Sequence, residues 1–473
     1  MSQLIHVMAY QGKRVTIIGL GREGTALARF LLGQGAEVTV TDVKEESQLK
    51  SSTNDLAGLP IHYVLGGHPE EVLEADVMFV SPGVPQGIPI LLEARRRGVA
   101  LSSETSLFFS LCPAPIIGVT GSSGKTTTTS LVGEIMKAQG RRAFVGGNIG
   151  SPLISTVDQI QPQDAVVMEL SSFQLEVLDQ SPHVAAVLNL SPNHLDRHQS
   201  MDDYVAAKTN ILRFQTEHDY AVLNAGDQRT RELEILCPGQ VVFFSRDQES
   251  VRGAFLDNGQ VTVRWEDERH TVCEVSEIRL PGVHNLENVL AACAISAAAG
   301  APPEAMRTAV TSFAGVEHRL ELVAEIGGVR YYDDSIATSP QRTAAALDSF
   351  ADPLVLLAGG REKHLPLETL ADLILSKVKV LILFGEAAPL LEQAVLQAQS
   401  KRRGQALPIH RSSDLGEAVR VAATAAESGD VVLLAPACTS FDMYRDFAER
   451  GDHFKSLVRD LKDSQPRDPA RKR

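Results

Sequence analysis

Gly118-Val-Thr-Gly-Ser-Ser-Gly-Lys-Thr-Thr127 is preceded by the apolar run 114–119 and followed by a helical pattern over 128–139. A strand feeding a glycine-rich turn that opens a helix presents backbone N–H groups and the helix dipole to phosphate. Lys125 adds a point charge for the outer phosphates, and the Thr126 hydroxyl a ligand for Mg²⁺. The strict phosphate-loop pattern asks for Gly at position 119, where this chain has Val. The Gly-Lys-Thr-Thr end in a strand–helix context still points to a nucleoside triphosphate, and so to an α/β fold.

Working outward, alternating strand and helix patterns fall into three blocks, each a series of βαβ units that builds a mostly parallel sheet. The first block has strands at 14–18, 37–41 and 77–80 and a helix at 25–34, and ends at Leu111-Cys-Pro-Ala-Pro115, a linker-like break. The second starts with the phosphate loop; within it 241–275 reads as short strands with a turn at Asp257-Asn-Gly259, a β-rich excursion. The third has apolar strands at 354–357, 380–384 and 431–434. The expected domains are 1–112, 113–315 and 316–462, with a polar, proline-broken tail over 463–473 expected to be disordered.

Composition narrows the partners. The chain has 473 residues, 45 basic and 59 acidic, for a formal charge of −14. That balance argues against broad binding to nucleic acid or anionic membrane. Its five cysteines, Cys112, Cys237, Cys273, Cys293 and Cys438, lack paired spacing, which points to buried thiols in a reducing compartment. With no signal-peptide pattern and no apolar run near ~20 residues, a cytoplasmic protein is expected.

Ile17-Ile-Gly-Leu-Gly-Arg-Glu-Gly24 is G-x-G-x-x-G after a strand, with Asp42 ending the next strand at the distance of a ribose contact. Such glycines serve packing as readily as ligands. A dehydrogenase would use Gly19, Gly21, Gly24 and Asp42 for NAD and leave Lys125 without a role; a nucleotide handle on a substrate uses both loops. Ser81-Pro-Gly83 follows another strand, where open α/β sheets collect ligands or simply turn. Glu169 ends the apolar strand 166–170, placed to hold Mg²⁺ beside the loop. His194 lies in a strand-to-loop segment and Lys208 on a helical pattern; alone, a loop histidine is more often solvated and a helical lysine is usually a surface charge.

Together, Gly118 to Thr127, Gly147-Asn-Ile-Gly150, Glu169-Leu-Ser-Ser-Phe-Gln-Leu175 and Asn189 to Arg197 resemble the Mur ligases, ATP-dependent amide-forming enzymes of peptidoglycan precursor synthesis, on which cell shape and division depend. The resemblance runs from Gly19 to about residue 461. It implies a Rossmann-like N-terminal domain that takes the UDP part of the substrate through Gly21, Arg22, Glu23, Asp42, Ser81 and Gly83, with Asn148 on the muramoyl side. It implies an ATP site of Gly121, Ser122, Ser123, Gly124, Lys125, Thr126 and Thr127, with Asn285 and Asn288 on the adenine side. Arg319 and Asp334 would meet the nucleotide from a Rossmann-like third domain that swings to close the cleft. Thr126, Glu169, His194 and a carbamylated Lys208 would hold Mg²⁺, two ions in all; Lys125, Glu169, His194 and Lys208 form the catalytic set. His194 could instead deprotonate the amine; the metal role is favoured.

Thr338, Lys363, Ser440, Phe441 and Phe447 would receive glutamate, with Ser440 reading also as a helix N-cap. Ile336 and Ser339 stand where the family usually has Lys and Asn, so the charge balance near the amino acid must differ. The implied reaction joins D-glutamate to UDP-N-acetylmuramoyl-L-alanine through an acyl phosphate, in a monomeric enzyme. Four alternatives stay open: a sister ligase taking L-glutamate, a folylpolyglutamate synthetase, which gives the N-terminal block no role, the dehydrogenase, and a nucleotide-binding regulator that needs no Glu169, His194 and Lys208 set.

Overall fold

A computed structural model describes residues 10–191, 200–247, 249, 252–280, 282–363, 365–402 and 406–464. Each block builds its own sheet. β1 (Arg14–Ile18), β2 (Glu37–Asp42), β3 (Ile61–Leu65), β4 (Val77–Val80) and β5 (Ala100–Ser102) form a parallel sheet in the order β3-β2-β1-β4-β5. The order reverses between β1 and β4, and a crevice opens beyond the strand ends at such a switch point. Gly19 and Ser81 are the residues that follow these two strands.

The second sheet comprises β6 (Ile116–Thr120), β7 (Ala143–Gly147), β8 (Ala165–Glu169), β9 (Val184–Val187), β10 (Tyr220–Asn224), β11 (Gln240–Ser245), β12 (Gly253–Asp257), β13 (Gln260–Trp265) and β14 (Glu268–Glu274). Its order is β14-β13-β12-β11-β10-β9-β6-β8-β7. Every residue of β6, β8 and β9 is buried, as expected for parallel strands covered on both faces. The stretch read as a β-rich excursion extends this sheet instead: β11 pairs parallel with β10, and β12 with β11. Only β13 and β14 turn antiparallel. Asn258 (φ 47°) and Gly259 (φ 83°) form the tight hairpin turn closed by Asp257 opposite Gln260.

β15 (Glu321–Ile326), β16 (Val329–Asp333), β17 (Leu354–Gly359), β18 (Val378–Phe384), β19 (Ile409–Arg411) and β20 (Val431–Ala437) form the third sheet, in the order β15-β16-β20-β17-β18-β19. All pairs but β15–β16 are parallel. The ends of β16, β20 and β17 therefore lie side by side.

The chain divides into two compact units, Met1–Arg279 with Val283–Phe313, and Leu280–Gly282 with Ala314–Arg473. The first two sheets share a unit because one buried cluster runs through both, including Leu107 and Phe108 of the helix Glu104–Leu111 and Leu153, Ile154 and Val157 beyond β7. The last helix, Phe447–Ser464, runs on into the segment read as a tail; residues 465–473 lie outside the described residues. No helix among the described residues is long and apolar enough to cross a membrane, and all five cysteines are free thiols.

Candidate active site

The phosphate loop leaves β6 at Thr120 and enters the helix Lys125–Ala138 at Gly124. The helix starts three residues before the apolar periodicity does, because Lys125 to Thr127 form its first turn. Gly124 has φ +79°, and a Cβ there would lie 2.2 Å from Asn288 Oδ1, so a side chain at position 124 would be strained and would displace Asn288. Lys125 Nζ donates to the Gly121 and Ser122 carbonyls (2.8 and 3.3 Å). The Ser122 and Ser123 N–H groups donate to Asn189, to its carbonyl (3.0 Å) and its Oδ1 (2.8 Å), and Asn189 Nδ2 returns a bond to the Ser123 carbonyl (3.2 Å). Asn189 thus shapes the loop, a role the sequence reading did not assign it. Its position, two residues past the end of β9 next to β6, was the available signal. The Ser122 hydroxyl also accepts from the Ser191 N–H (3.0 Å) and pairs with Tyr204 OH (3.0 Å).

Thr126, Glu169 and Asn148 converge. Thr126 Oγ1 donates to Glu169 Oε2 (2.7 Å) and Asn148 Nδ2 to Glu169 Oε1 (2.7 Å), holding a carboxylate that is only 2% exposed. Hydroxyl and carboxylate oxygens are the hard donors Mg²⁺ takes, so this set fits the ion. Lys208, also 2% exposed, donates to Thr120 Oγ1 (3.2 Å) and lies 4.8 Å from the centre of the Tyr204 ring. Burial, reinforced by the Lys125 charge and opposed by Glu169, pulls its ammonium down to about 6. At neutral pH Lys208 is therefore an uncharged amine. His194 lies outside the described residues.

Asn285 and Asn288 are buried in the first turns of the helix Val283–Ala298, where Asn288 Nδ2 donates to Asn285 Oδ1 (3.1 Å) and Asn288 Oδ1 faces Gly124. Both are thus beside the loop.

A cavity of about 420 Å³ opens at the β1–β4 switch point and is lined by Gly21, Arg22, Glu23, Asp42, Ser81 and Gly83, all six residues expected to take the UDP group. Asp42 uses both carboxylate oxygens on backbone, accepting from the Leu20 and Lys44 N–H groups (2.8 and 3.0 Å), so it shapes the pocket wall. Asn148 is not in this lining; it sits on Glu169, and its carbonyl accepts from Arg22 Nη2 (3.3 Å). Gln174 Nε2 donates to Glu23 Oε1 (3.0 Å). The N-terminal glycine loop is thereby tied to the segments that follow β7 and β8. Burial raises the Glu23 carboxyl to about 7, and burial plus the Glu23 charge raises Glu104 to about 8.

In the second unit, Asp334 is buried and accepts from the Leu320 N–H (3.1 Å); burial lifts its carboxyl to about 7 against the pull of Arg319. Lys363 Nζ donates to Thr338 Oγ1 (3.1 Å), which brings together two residues expected to bind glutamate. Ser440 is buried, whereas Phe441 is exposed. Ser440 is not a helix N-cap: its carbonyl accepts from the Met443 and Tyr444 N–H groups in a single turn, and the helix begins at Phe447. Asp446 takes the capping role, accepting from the Glu449 N–H (2.8 Å). Phe447 packs edge-on against His318, with centroids 6.1 Å apart. Among the described residues, His318, Glu321 and Asp333 form one group with metal-ligand spacing. Its members are already engaged: His318 Nδ1 pairs with Asp333 (2.8 Å), and Glu321 accepts from the His318 N–H (2.9 Å) and Lys455 (3.4 Å).

Residues 13–103, 119–296 and 318–438 match family models for the Mur ligase MurD-like N-terminal domain, the Mur ligase middle domain and the Mur ligase glutamate ligase domain. Over 452 residues the chain is 48% identical to a UDP-N-acetylmuramoylalanine--D-glutamate ligase of Symbiobacterium thermophilum, covering 95% of this chain and 98% of that one. The chain belongs to the Mur ligase family. An Acetivibrio thermocellus protein of the same name is 44% identical, over 95% of this chain and 97% of its own. The fold is shared with the solved UDP-N-acetylmuramate-alanine ligase of Thermotoga maritima, at 19% identity and a TM-score of 0.56, covering 95% of this chain and all of that one. In this Mur ligase, an ATP-dependent enzyme, the phosphate loop keeps Val119 fully buried in β6. The missing glycine of the strict pattern is therefore a core position here.

Proposed function

We propose that this Mur ligase joins D-glutamate to UDP-N-acetylmuramoyl-L-alanine with cleavage of ATP to ADP and phosphate, a step of peptidoglycan precursor synthesis. The observation that carries the reading is the Thr126–Glu169–Asn148 array beside the phosphate loop, with a buried amine, Lys208, at its side. The relatives' shared name supports D-glutamate as the amino acid.

The roles divide among domains 1–112, 113–315 and 316–462. The switch-point cavity receives the UDP group. Lys125 and the first helical turn hold the triphosphate so that the alanyl carboxylate can attack its terminal phosphorus, giving an acyl phosphate and ADP. The glutamate amine then adds to the acyl carbon, and phosphate leaves from the tetrahedral intermediate with the amine proton passing to solvent or base. Positioning and charge neutralisation supply most of what such a transfer needs. Thr126, Glu169 and His194 are the ligands offered to Mg²⁺, which when bound would neutralise charge on the phosphates. An uncharged Lys208 can add to CO₂: the N–C bond forms, a proton leaves, and the product carbamate gives that set one more anionic oxygen donor. Asn285, Asn288, Arg319 and Asp334 are assigned to the nucleotide, and Thr338, Lys363, Ser440, Phe441 and Phe447 to glutamate.

ADP release from ATP with UDP-N-acetylmuramoyl-L-alanine tests this, with each glutamate enantiomer added separately. Release with D-glutamate alone is expected. A preference for L-glutamate would reassign the amino-acid site, and no release with either would remove the ligase reading.

A further inference from the structure

Arg450 is the largest wholly buried side chain among the described residues, at 0% exposure in the first turn of the helix Phe447–Ser464. Arginines that deep are ordinarily matched by a carboxylate. Among the described residues none forms an ion pair with it. Its donors go to backbone and one hydroxyl instead. Nε donates to Ser335 Oγ (3.0 Å), and Nη2 to the Ser335 and Cys438 carbonyls (2.9 and 3.3 Å). Nη1 donates to the Cys438 carbonyl (3.3 Å) and at longer range to that of Gly359 (3.5 Å). Cys438 follows the end of β20, Gly359 ends β17, and Ser335 lies two residues past β16. These are the three strands that lie adjacent in the sheet.

Each acceptor stands a few residues before a side chain assigned to glutamate: Ser335 before Thr338, Gly359 before Lys363, Cys438 before Ser440. Two of the loops are also bridged directly, through paired Arg361–Thr439 backbone bonds (2.8 and 2.9 Å). The helix can bring Arg450 this close because the next residue is Gly451; a Cβ there would meet His318 Nδ1 at 2.1 Å and Asp333 Oδ2 at 2.6 Å. A planar fork with five donors is the side chain suited to holding several carbonyls at once.

We propose that Arg450 is the positioning residue of the amino-acid site: its fork fixes the ends of β16, β17 and β20, so that Thr338, Lys363 and Ser440 are held in register for a dicarboxylate amino acid. Among the described residues no carboxylate is paired with it; Asp442 and Asp333 act on it only through space, so part of its charge also lies behind loops that must receive two carboxylates. Burial lowers the guanidinium only to about 10, so it stays charged at neutral pH. This rests on the glutamate reading above.

Two readouts on the full chain separate the claims. Hydrogen exchange in Arg450→Met is expected to speed up together in the segments 334–339, 359–363 and 436–441 and stay unchanged in the helix Ala388–Ser400. Faster exchange confined to residues 447–464 would overturn the positioning role, whatever the enzyme's activity. In steady-state assays, Arg450→Met and Arg450→Lys are both expected to raise the KM for D-glutamate by about tenfold or more, the order of one lost charge-assisted contact. The KM values for ATP and the UDP substrate should hold within about twofold, because lysine keeps the charge but not the fork. All three KM values unchanged, or all rising in step, would overturn the proposal. Should Arg450→Met not fold, Ser335→Ala, which removes one acceptor of the fork, decides: a selective rise in the glutamate KM supports the role, and none contradicts it. A wild-type enzyme without glutamate-dependent ADP release would refute the functional reading instead, while the exchange result still decides the positioning role.

Discussion

The phosphate-loop region and the strand ends of the third sheet each bury a cation, and they treat it in opposite ways. Lys208 finds a hydroxyl and an aromatic face, and burial beside Lys125 takes its pKa to about 6. Arg450 finds carbonyls and a hydroxyl from three strand ends and stays near 10. An ammonium is a compact, strongly hydrated charge, and desolvation without enough acceptors drives off its proton; a guanidinium spreads its charge over a fork that several acceptors can satisfy. One buried cation thus becomes a neutral amine beside the set proposed to hold Mg²⁺, and the other stays charged.

Lys208→Met sharpens the contrast most. Ligation should fall by about 10²–10³ in kcat, the range for losing one group that stabilises charge in the transition state, as read by ADP release. Stability should move the other way. The lysine's folded pKa lies below its ordinary 10.5, so folding expels a proton and the wild type is penalised below that value. In bicarbonate-free buffer the methionine variant should therefore melt higher at pH 6–7, with the gap closing as pH rises toward 10.5. Equal melting temperatures across that range would show that Lys208 is not held neutral. In the other region, Gly451→Ala forces a Cβ onto His318 and Asp333 and should cost about 1–3 kcal/mol, as overpacking does. Urea melts check this, and an unchanged midpoint would mean the helix is free to move away.

The same contrast marks what was legible in the sequence. The strands β1, β4, β8 and β17 announce themselves as short runs rich in apolar residues, and the Asp257-Asn-Gly259 turn as a hairpin. The set Thr126, Glu169 and Lys125 follows from phosphate-loop chemistry alone. β3 went unread because Ile61–Leu65 is only half-buried and carries a histidine and a tyrosine. Asn189 was passed over because its work is done on another strand's loop. Arg450 and Gly451 follow Ser440 and Phe447 by a few residues in the sequence, yet an arginine's default place is the surface. Only the sheet order, which sets β16, β20 and β17 side by side, shows that one side chain reaches all three.

Carbon-13 NMR of the full chain in labelled bicarbonate tests most directly whether Lys208 is kept as a free amine in order to become an oxygen donor. A protein carbamate signal is expected at pH 8, absent from Lys208→Met and lost with activity as the pH falls below about 6. A fully active enzyme at pH 8 with no carbamate signal would contradict it.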